Sequence, residues 1–161
     1  PFQWDPQDTY KEFAEKAKIV KANISRKQIK YNYHDAKLSS LEGVMARGDR
    51  RVSAVIYKAW EKGCRFDSWS ELFKFREWME SFEETGVDPA FYANRKRDFD
   101  EILPWDHISI GVSKQFMINE RKRAEMAVTT PNCREECSHC GAAAFGGGVC
   151  FESREKNTVQ I

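Results

Sequence analysis

Residues able to do chemistry are concentrated near the C-terminus, where four of the five cysteines lie within eighteen residues. Cys133, Cys137, Cys140 and Cys150 follow the spacing C-x3-C-x2-C-x9-C, and glycines between and beside them allow tight turns. Four thiolates match the ligands of tetrahedral zinc or of a cubane iron–sulfur cluster. An odd cysteine count, clustered and without an export signal, favours metal over disulfides. We therefore expect a metal site at these four residues, with His139 as a more awkwardly placed substitute for Cys150.

The segment around these cysteines has few large apolar side chains and many glycines. A bound metal would therefore supply much of its folding free energy. The alternative is that four free cysteines lie on an unstructured tail. Cys64 stands alone after Gly63 and is expected to be a small buried residue.

A second group of chemically interesting residues is the elbow, defined as residues 47–51 and reading Arg47-Gly48-Asp49-Arg50-Arg51. In one interpretation it is a solvated turn in which Asp49 caps a helix and pairs with a nearby arginine. In the other, Arg47, Asp49, Arg50 and Arg51 bind substrate, with the guanidinium groups gripping a carboxylate or phosphate.

The elements that position these groups are predicted to be mainly α-helices. N-capping residues mark six helix starts, at Asp8 or Thr9, Ser39, Asp49, Ser68, Asp88 and Ser113. Gly63 and Gly86 are placed to end two of the helices. Between the capping signals, apolar residues recur with the helical period, as in the run from Val52 to Trp60.

A few short strands are also predicted, which makes the expected fold class α+β. Ile29, Tyr31 and Tyr33 alternate with polar residues, and Ile108 with Ile110 forms a second candidate. The adjacent pairs His34–Asp35 and Asp106–His107 suggest catalysis. We expect His34 to be exposed or to have its hydrogen bonds met by neighbouring groups, and Asp106 to accept a local turn hydrogen bond.

Composition limits the classes of function. The 161 residues are enough for one domain, with 26 basic and 25 acidic side chains. This balance argues against a protein that coats nucleic acid or a membrane surface. No apolar run approaches a membrane span and no signal peptide is visible, so we expect a soluble, cytoplasmic protein.

Seven stretches occur in a fixed order along the chain, and their combination is more specific than any one of them. They are Pro1-Phe2-Gln3-Trp4, Tyr33-His34-Asp35, Leu41-Glu42 with Ala46 to Arg51, Phe66 to Glu71, Asp88 to Tyr92, Leu103 to Ile108, and the Cys133/Cys137/Cys140 tail. Together they resemble the C-terminal region of large bacterial radical S-adenosylmethionine (SAM) proteins that carry a cobalamin-binding-type domain at their N-terminus.

The resemblance implies a division of the chain into three parts. Residues 1–36 would be the end of a strand of the radical SAM partial (β/α) barrel, then a helix and a strand. Residues 37–128 would be a helical C-terminal extension, and residues 129–161 a cysteine-rich metal-binding tail. An opening without methionine also favours a fragment. The partners would be the missing N-terminal and barrel domains, and the elbow would face the barrel mouth.

The cofactors follow from the same resemblance. An auxiliary iron–sulfur cluster or zinc would occupy the tail, whereas SAM and cobalamin would bind only in the full-length enzyme. The C-x3-C-x2-C spacing matches the motif that holds the catalytic cluster in radical SAM enzymes. Only 21 residues follow Cys140, however, and a fourth thiolate from Cys150 would close the open iron. We therefore expect that the chain alone does not cleave SAM; the substrate and catalytic residues stay unassigned.

The alternative is a zinc-containing module that binds RNA or protein. Six basic residues would form its electrostatic footprint: Arg95, Lys96, Arg97, Arg121, Lys122 and Arg123. The balanced net charge counts against this alternative, because phosphate-binding domains usually carry a basic excess.

Overall fold

A computed structural model describes residues 1–26 and 28–145. The chain divides into two compact units. One unit is Asp5–Arg97, and the other combines Pro1–Trp4 with the described residues from Asp98 onward. Both are helical, which confirms the mainly α prediction. Among the described helices, none combines the length and the apolar character that crossing a membrane requires.

The unit Asp5–Arg97 contains five α-helices. They are α1 Tyr10–Asn23, α2 Ala36–Arg47, α3 Val52–Glu61, α4 Phe75–Thr85 and α5 Pro89–Ala93. Helix α2 packs against α1 and α5, and α3 packs against α4. Ten buried residues form its core: Leu41, Val44, Val52, Val55, Ala59, Cys64, Trp78, Phe82, Tyr92 and Ala93. The prediction that Cys64 is a small buried residue is confirmed, and burial raises the pKa of its thiol.

Three helix starts agree with the sequence because their caps are local. Thr9 and Glu12 form a complete capping box before α1. Asp88 caps α5 and Pro89 occupies its first turn. The Ser113 hydroxyl accepts the Phe116 N–H before the next helix. Each bond spans two to three residues, so the sequence alone specifies it.

Three other helix starts were predicted wrongly. Helix α2 begins at Ala36, because the Asp35 carboxylate accepts two amide N–H groups and caps it before Ser39 is reached. The N-cap of α3 is Arg51, which makes no side-chain capping bond. Residues 66–73 form turns, so α4 starts at Phe75 and not near Ser68.

Glycine ends two helices as predicted. Gly63 has φ +81°, and the bonds from Gly63 N to Trp60 O (2.9 Å) and from Cys64 N to Ala59 O (3.0 Å) close a Schellman motif. Gly86, with φ +66°, closes α4 with the same pattern.

The predicted strands are absent from the described residues, where no strand is formed. Tyr31 and Tyr33 stack with ring centroids 5.2 Å apart, but Ile29 and Tyr33 are exposed. Ile108 and Ile110 are exposed as well. A period-two pattern favours an extended chain, but a strand also needs a neighbouring backbone to accept its ladder hydrogen bonds.

The second unit contains α6 Lys114–Glu125 and a 3-10 turn, Ala142–Phe145. Pro1–Trp4 were expected to end a barrel strand but contain a turn. Trp4 is buried, with its ring edge-to-face with Phe99 at 5.0 Å. The aromatic N-terminus therefore contributes to the packing of this unit.

Candidate functional site

Arg47, the first arginine of the elbow, is half-buried and bonded to the backbone. Its Nη1 donates to Asp5 O at 2.7 Å and to Ala93 O at 3.4 Å. The side chain thus joins the end of α2 to the segment before α1 and to the end of α5. Both acceptors are far from Arg47 in sequence, so sequence analysis had no signal for this role. Arg47 is a structural connector within the elbow.

Asp49 and Arg51 form a closed ion pair. Arg51 Nε lies 3.0 Å from both carboxylate oxygens, Nη2 also donates to Asp49, and the Arg51 backbone N–H donates to Oδ1 at 2.9 Å. The Tyr92 hydroxyl donates to Oδ1 at 3.0 Å. The Arg51 hydrogen bonds hold the pKa of the Asp49 carboxyl well below its usual range, and the pairing raises the pKa of Arg51. Burial, followed by the bond to Asp49, raises the pKa of Tyr92.

Aromatic rings support the same pair. The Arg51 guanidinium lies 5.3 Å from the Phe91 ring centroid and 5.6 Å from that of Tyr92. Arg95 lies over the Phe91 ring at 4.3 Å. Cation–π contacts of this kind fix the planes of the guanidinium groups. Asp49 therefore accepts hydrogen bonds from within the protein, and the Phe91 and Tyr92 rings lie against the Arg51 guanidinium.

Arg50 differs from its neighbours because it is exposed and, within the described ranges, forms no ion pair. The pairing expected of an interhelical turn is thus observed at Asp49 and Arg51. A fork of three converging guanidinium groups is not formed. Any ligand binding at the elbow would depend on Arg50 and on the exposed edge of Arg51.

The cysteine tail presents separate thiols. Cys133 and Cys137 are exposed, Cys140 is half-buried, and all three are free; Cys150 lies outside the described residues. Within residues 1–26 and 28–145, no group of three or more His, Cys, Asp or Glu side chains is arranged to hold a metal ion. The thiols fit zinc or iron–sulfur ligation by their chemistry, but their described arrangement does not assemble a ligand set.

The tail is nevertheless attached to the start of α6. Ser113 N donates to Cys140 O at 2.9 Å, and the Ala142 N–H donates to Cys140 Sγ at 3.4 Å. Gly141 has φ +100°, and a Cβ there would lie 2.4 Å from Gly111 O. Only glycine permits this approach, so the backbone around Cys140 is fixed by a close contact.

A cleft of about 330 Å³ lies between α6 and the tail. Its walls include Glu120 and Arg123 of α6 and Cys137 and His139 of the tail. Thr130 Oγ1 donates to Glu120, at 2.7 and 2.6 Å from the two oxygens. Little in the sequence marks this cleft beyond the i, i+3 spacing of Glu120 and Arg123 on one helix face.

In both candidate His–Asp pairs, the aspartate accepts local hydrogen bonds from other groups. His34 Nδ1 lies 3.0 Å from Ser39 Oγ, while Asp35 caps α2. Asp106 accepts the Leu103 N–H at 3.0 Å, as predicted, and Lys114 Nζ at 3.0 Å. Burial alone would raise the pKa of Asp106, but these two donors outweigh it and lower the pKa.

Most of the six basic residues in the nucleic-acid alternative have internal contacts. Arg97 is buried and donates to Tyr92 O, a position that contradicts a solvated basic run at 94–100. Arg121 pairs with Glu125 at 3.0 Å, and Arg123 Nη2 donates to Thr129 O at 2.9 Å. Within their own units these three arginines are engaged internally, which weakens the RNA-binding alternative.

No family model, curated protein or solved structure matches this chain.

Proposed function

We propose that this chain is a C-terminal region of a radical SAM iron–sulfur enzyme, and that its cysteine tail holds an auxiliary iron–sulfur cluster or a zinc ion. The observation that supports the proposal best is the bond from the Ala142 N–H to Cys140 Sγ at 3.4 Å. N–H groups that donate to cysteine sulfur are part of the surroundings that tune iron–sulfur clusters. Cys133 and Cys137 are free and exposed.

Four residues would hold the metal: Cys133, Cys137, Cys140 and Cys150. An iron–sulfur cluster would supply electron transfer or a ligand anchor, and zinc would supply a structural link. The thiols are separate in the described structure, so ligand assembly accompanies metal binding in this proposal. The fixed backbone at Cys140 provides the starting point, because Ser113 already holds the Cys140 carbonyl.

The rest of the proposal concerns the parent enzyme. Its partners are the N-terminal and barrel domains, where SAM and cobalamin bind, and we place the enzyme in the cytoplasm, where thiols stay reduced. A cluster with four thiolates has no open iron, so this chain by itself does not cleave SAM.

At the elbow, Arg50 and the exposed edge of Arg51 contact anionic groups of substrate or cofactor, while Asp49 and Arg47 position them. Replacing Arg50 by alanine in the full-length enzyme is expected to lower turnover at an unchanged free energy of unfolding. Unchanged turnover would contradict this assignment.

Metal analysis of the whole chain tests the proposal. Protein purified without oxygen, or reconstituted with iron and sulfide, is expected to hold about four irons with matching sulfide and to absorb broadly near roughly 400 nm. One zinc per chain and no colour would show that the site holds a structural zinc ion instead of a cluster. Serine substitution at Cys133, Cys137, Cys140 or Cys150 should lower the metal content.

Cys64→Ala is the matched control, because Cys64 is a buried thiol in the core of the other unit. Its metal content should equal that of the wild type. A chain that binds neither metal after reconstitution, or a tail variant that retains full occupancy, would refute the site. Salt-sensitive binding of single-stranded RNA would instead favour the binding-module alternative.

A further inference from the structure

The outer face of α3 and the turns that follow it carry a cluster of exposed apolar side chains, here named the aromatic patch. Its members lie within one compact unit and close together in sequence: Ile56, Tyr57, Trp60, Phe66, Trp69 and Leu72. The exposed fractions are 61% for Tyr57, 50% for Trp60, 71% for Phe66 and 62% for Trp69. Neither the metal proposal nor the elbow uses any of these residues.

Contacts fix parts of the aromatic patch. The Tyr57 and Trp60 rings lie 5.9 Å apart, and the Arg65 guanidinium lies 5.2 Å from the Trp60 centroid. Arg65 immediately precedes Phe66 in the chain. Trp69 N donates to Phe66 O at 2.9 Å, which fixes the turn. A rigid exposed surface loses little conformational entropy when it binds a partner.

Phe66 provides an independent sign that this surface has a role. Its φ of +58° lies in the left-handed region, which a bulky residue without glycine's freedom occupies at a cost. Phe66 is also the most exposed of the four aromatic residues, so burial in the core does not offset the cost of this backbone conformation. An exposed aromatic residue kept in a strained conformation points to function outside folding.

We propose that the aromatic patch is a self-complementary interface through which two copies of this chain associate. A phenyl or indole side chain brings roughly 150–250 Å² of surface. At the observed exposures the four rings present on the order of 400–500 Å², comparable with the largest patch on a typical monomer. Two patches face to face would bury on the order of 1,000 Å², the lower limit for a specific interface.

The charges around the patch favour a second copy over nucleic acid. Arg65 is basic and Glu71 is acidic, and both are exposed, while the exposed Glu61 pairs with Lys58 at 2.9 Å. A stacking surface for single-stranded RNA needs a basic groove along the phosphates. A rim that carries both signs is self-complementary: a two-fold axis allows Arg65 of each copy to meet Glu71 of the other. Tryptophan, tyrosine and arginine are also the side chains that dominate binding at protein interfaces.

Sedimentation velocity on the whole chain tests the proposal. We expect a concentration-dependent dimer up to about 200 µM protein, the range in which micromolar dissociation constants are resolved. Trp69→Ala should raise the dissociation constant at least about tenfold, as for a central interface residue. The matched control is Ile19→Ala, which removes an exposed apolar side chain from α1 and should leave the dissociation constant unchanged.

Two further variants separate loss of the interface from loss of the fold. Phe66→Gly removes the ring and the left-handed strain together, so it should weaken the dimer without lowering the melting temperature. Arg65→Glu and Glu71→Arg should each weaken the dimer, and the double variant should restore it. A chain that stays monomeric at all concentrations, a dimer insensitive to these changes, or a monomer whose patch binds single-stranded RNA would each overturn the proposal.

Discussion

The structural role of Arg47 gives the sharpest prediction, because Arg50 three residues later provides an internal control. Arg47→Ala removes both bonds from Nη1, one to Asp5 O at 2.7 Å and one to Ala93 O at 3.4 Å. A bond from a charged donor contributes about 1.5–3 kcal/mol, and a long bond contributes less. Partial hydration of the two carbonyl groups offsets some of the loss. We expect the free energy of unfolding to fall by about 2 kcal/mol.

Urea denaturation followed by tryptophan fluorescence measures this change, provided that the slope m stays constant. Arg50→Ala should alter the free energy of unfolding by less than about 0.5 kcal/mol, as for an exposed side chain without internal bonds. The reasoning would be refuted if Arg47→Ala were equally mild, or if Arg50→Ala cost as much as Arg47→Ala. Either result would mean that the elbow is not held by the backbone bonds of Arg47.

Two other substitutions test local features of the structure. Ala127 lies just after α6 with φ +53°, and the Val128 N–H donates to Arg123 O. Ala127→Gly should therefore stabilise the protein by about 0.5–1 kcal/mol in thermal or urea unfolding; equal or lower stability would contradict the assigned conformation. Asp49→Asn should destabilise the protein at pH 7, because pairing with Arg51 lowers the folded-state pKa of Asp49. That contribution is fully present above the unfolded pKa of about 4 and is lost as the pH falls through the much lower folded-state pKa. The two proteins should therefore converge in stability towards strong acid; a pH-independent difference would exclude the ion pair as the cause.

The arginines of the elbow show why part of the site was not predictable. Their spacing identified a charged turn between two helices, and the pairing of Asp49 with Arg51 is local enough to be anticipated. The acceptors of Arg47 are backbone carbonyls more than forty residues away. A carbonyl carries no side-chain signature, so no sequence pattern marks it as a partner.

The turns between α3 and α4 illustrate the same limit for apolar residues. Ser68 and Glu71 have the spacing of a capping box, and the aromatic residues after them suggest a buried helical face. The Trp78 indole N–H instead donates to Asp67 at 3.2 Å, and the chain forms turns until Phe75. Trp78 is buried while Trp69 is exposed, although both follow the same capping signal.

The sequence by itself determined the mainly helical class and the ends of several helices. Thr9, Asp88 and Ser113 specify starts, and Gly63 and Gly86 specify ends, because caps and left-handed turns form among residues a few positions apart. Caps and left-handed turns depend on nearest neighbours along the chain. Apolar residues at helical spacing marked the buried face of α3 only in part, since Val55 and Ala59 are buried whereas Ile56 and Trp60 are exposed.

Only the tertiary structure decided which predicted elements found partners. The extended segment at Tyr31 and Tyr33 has the period of a strand, but no described strand pairs with it. Phe66 and Trp69 lie outside the core and are exposed, and Arg47 is held by distant carbonyl groups. Pairing, burial and long-range hydrogen bonds depend on which segments meet in space, and the spacing of residues along one segment does not encode that.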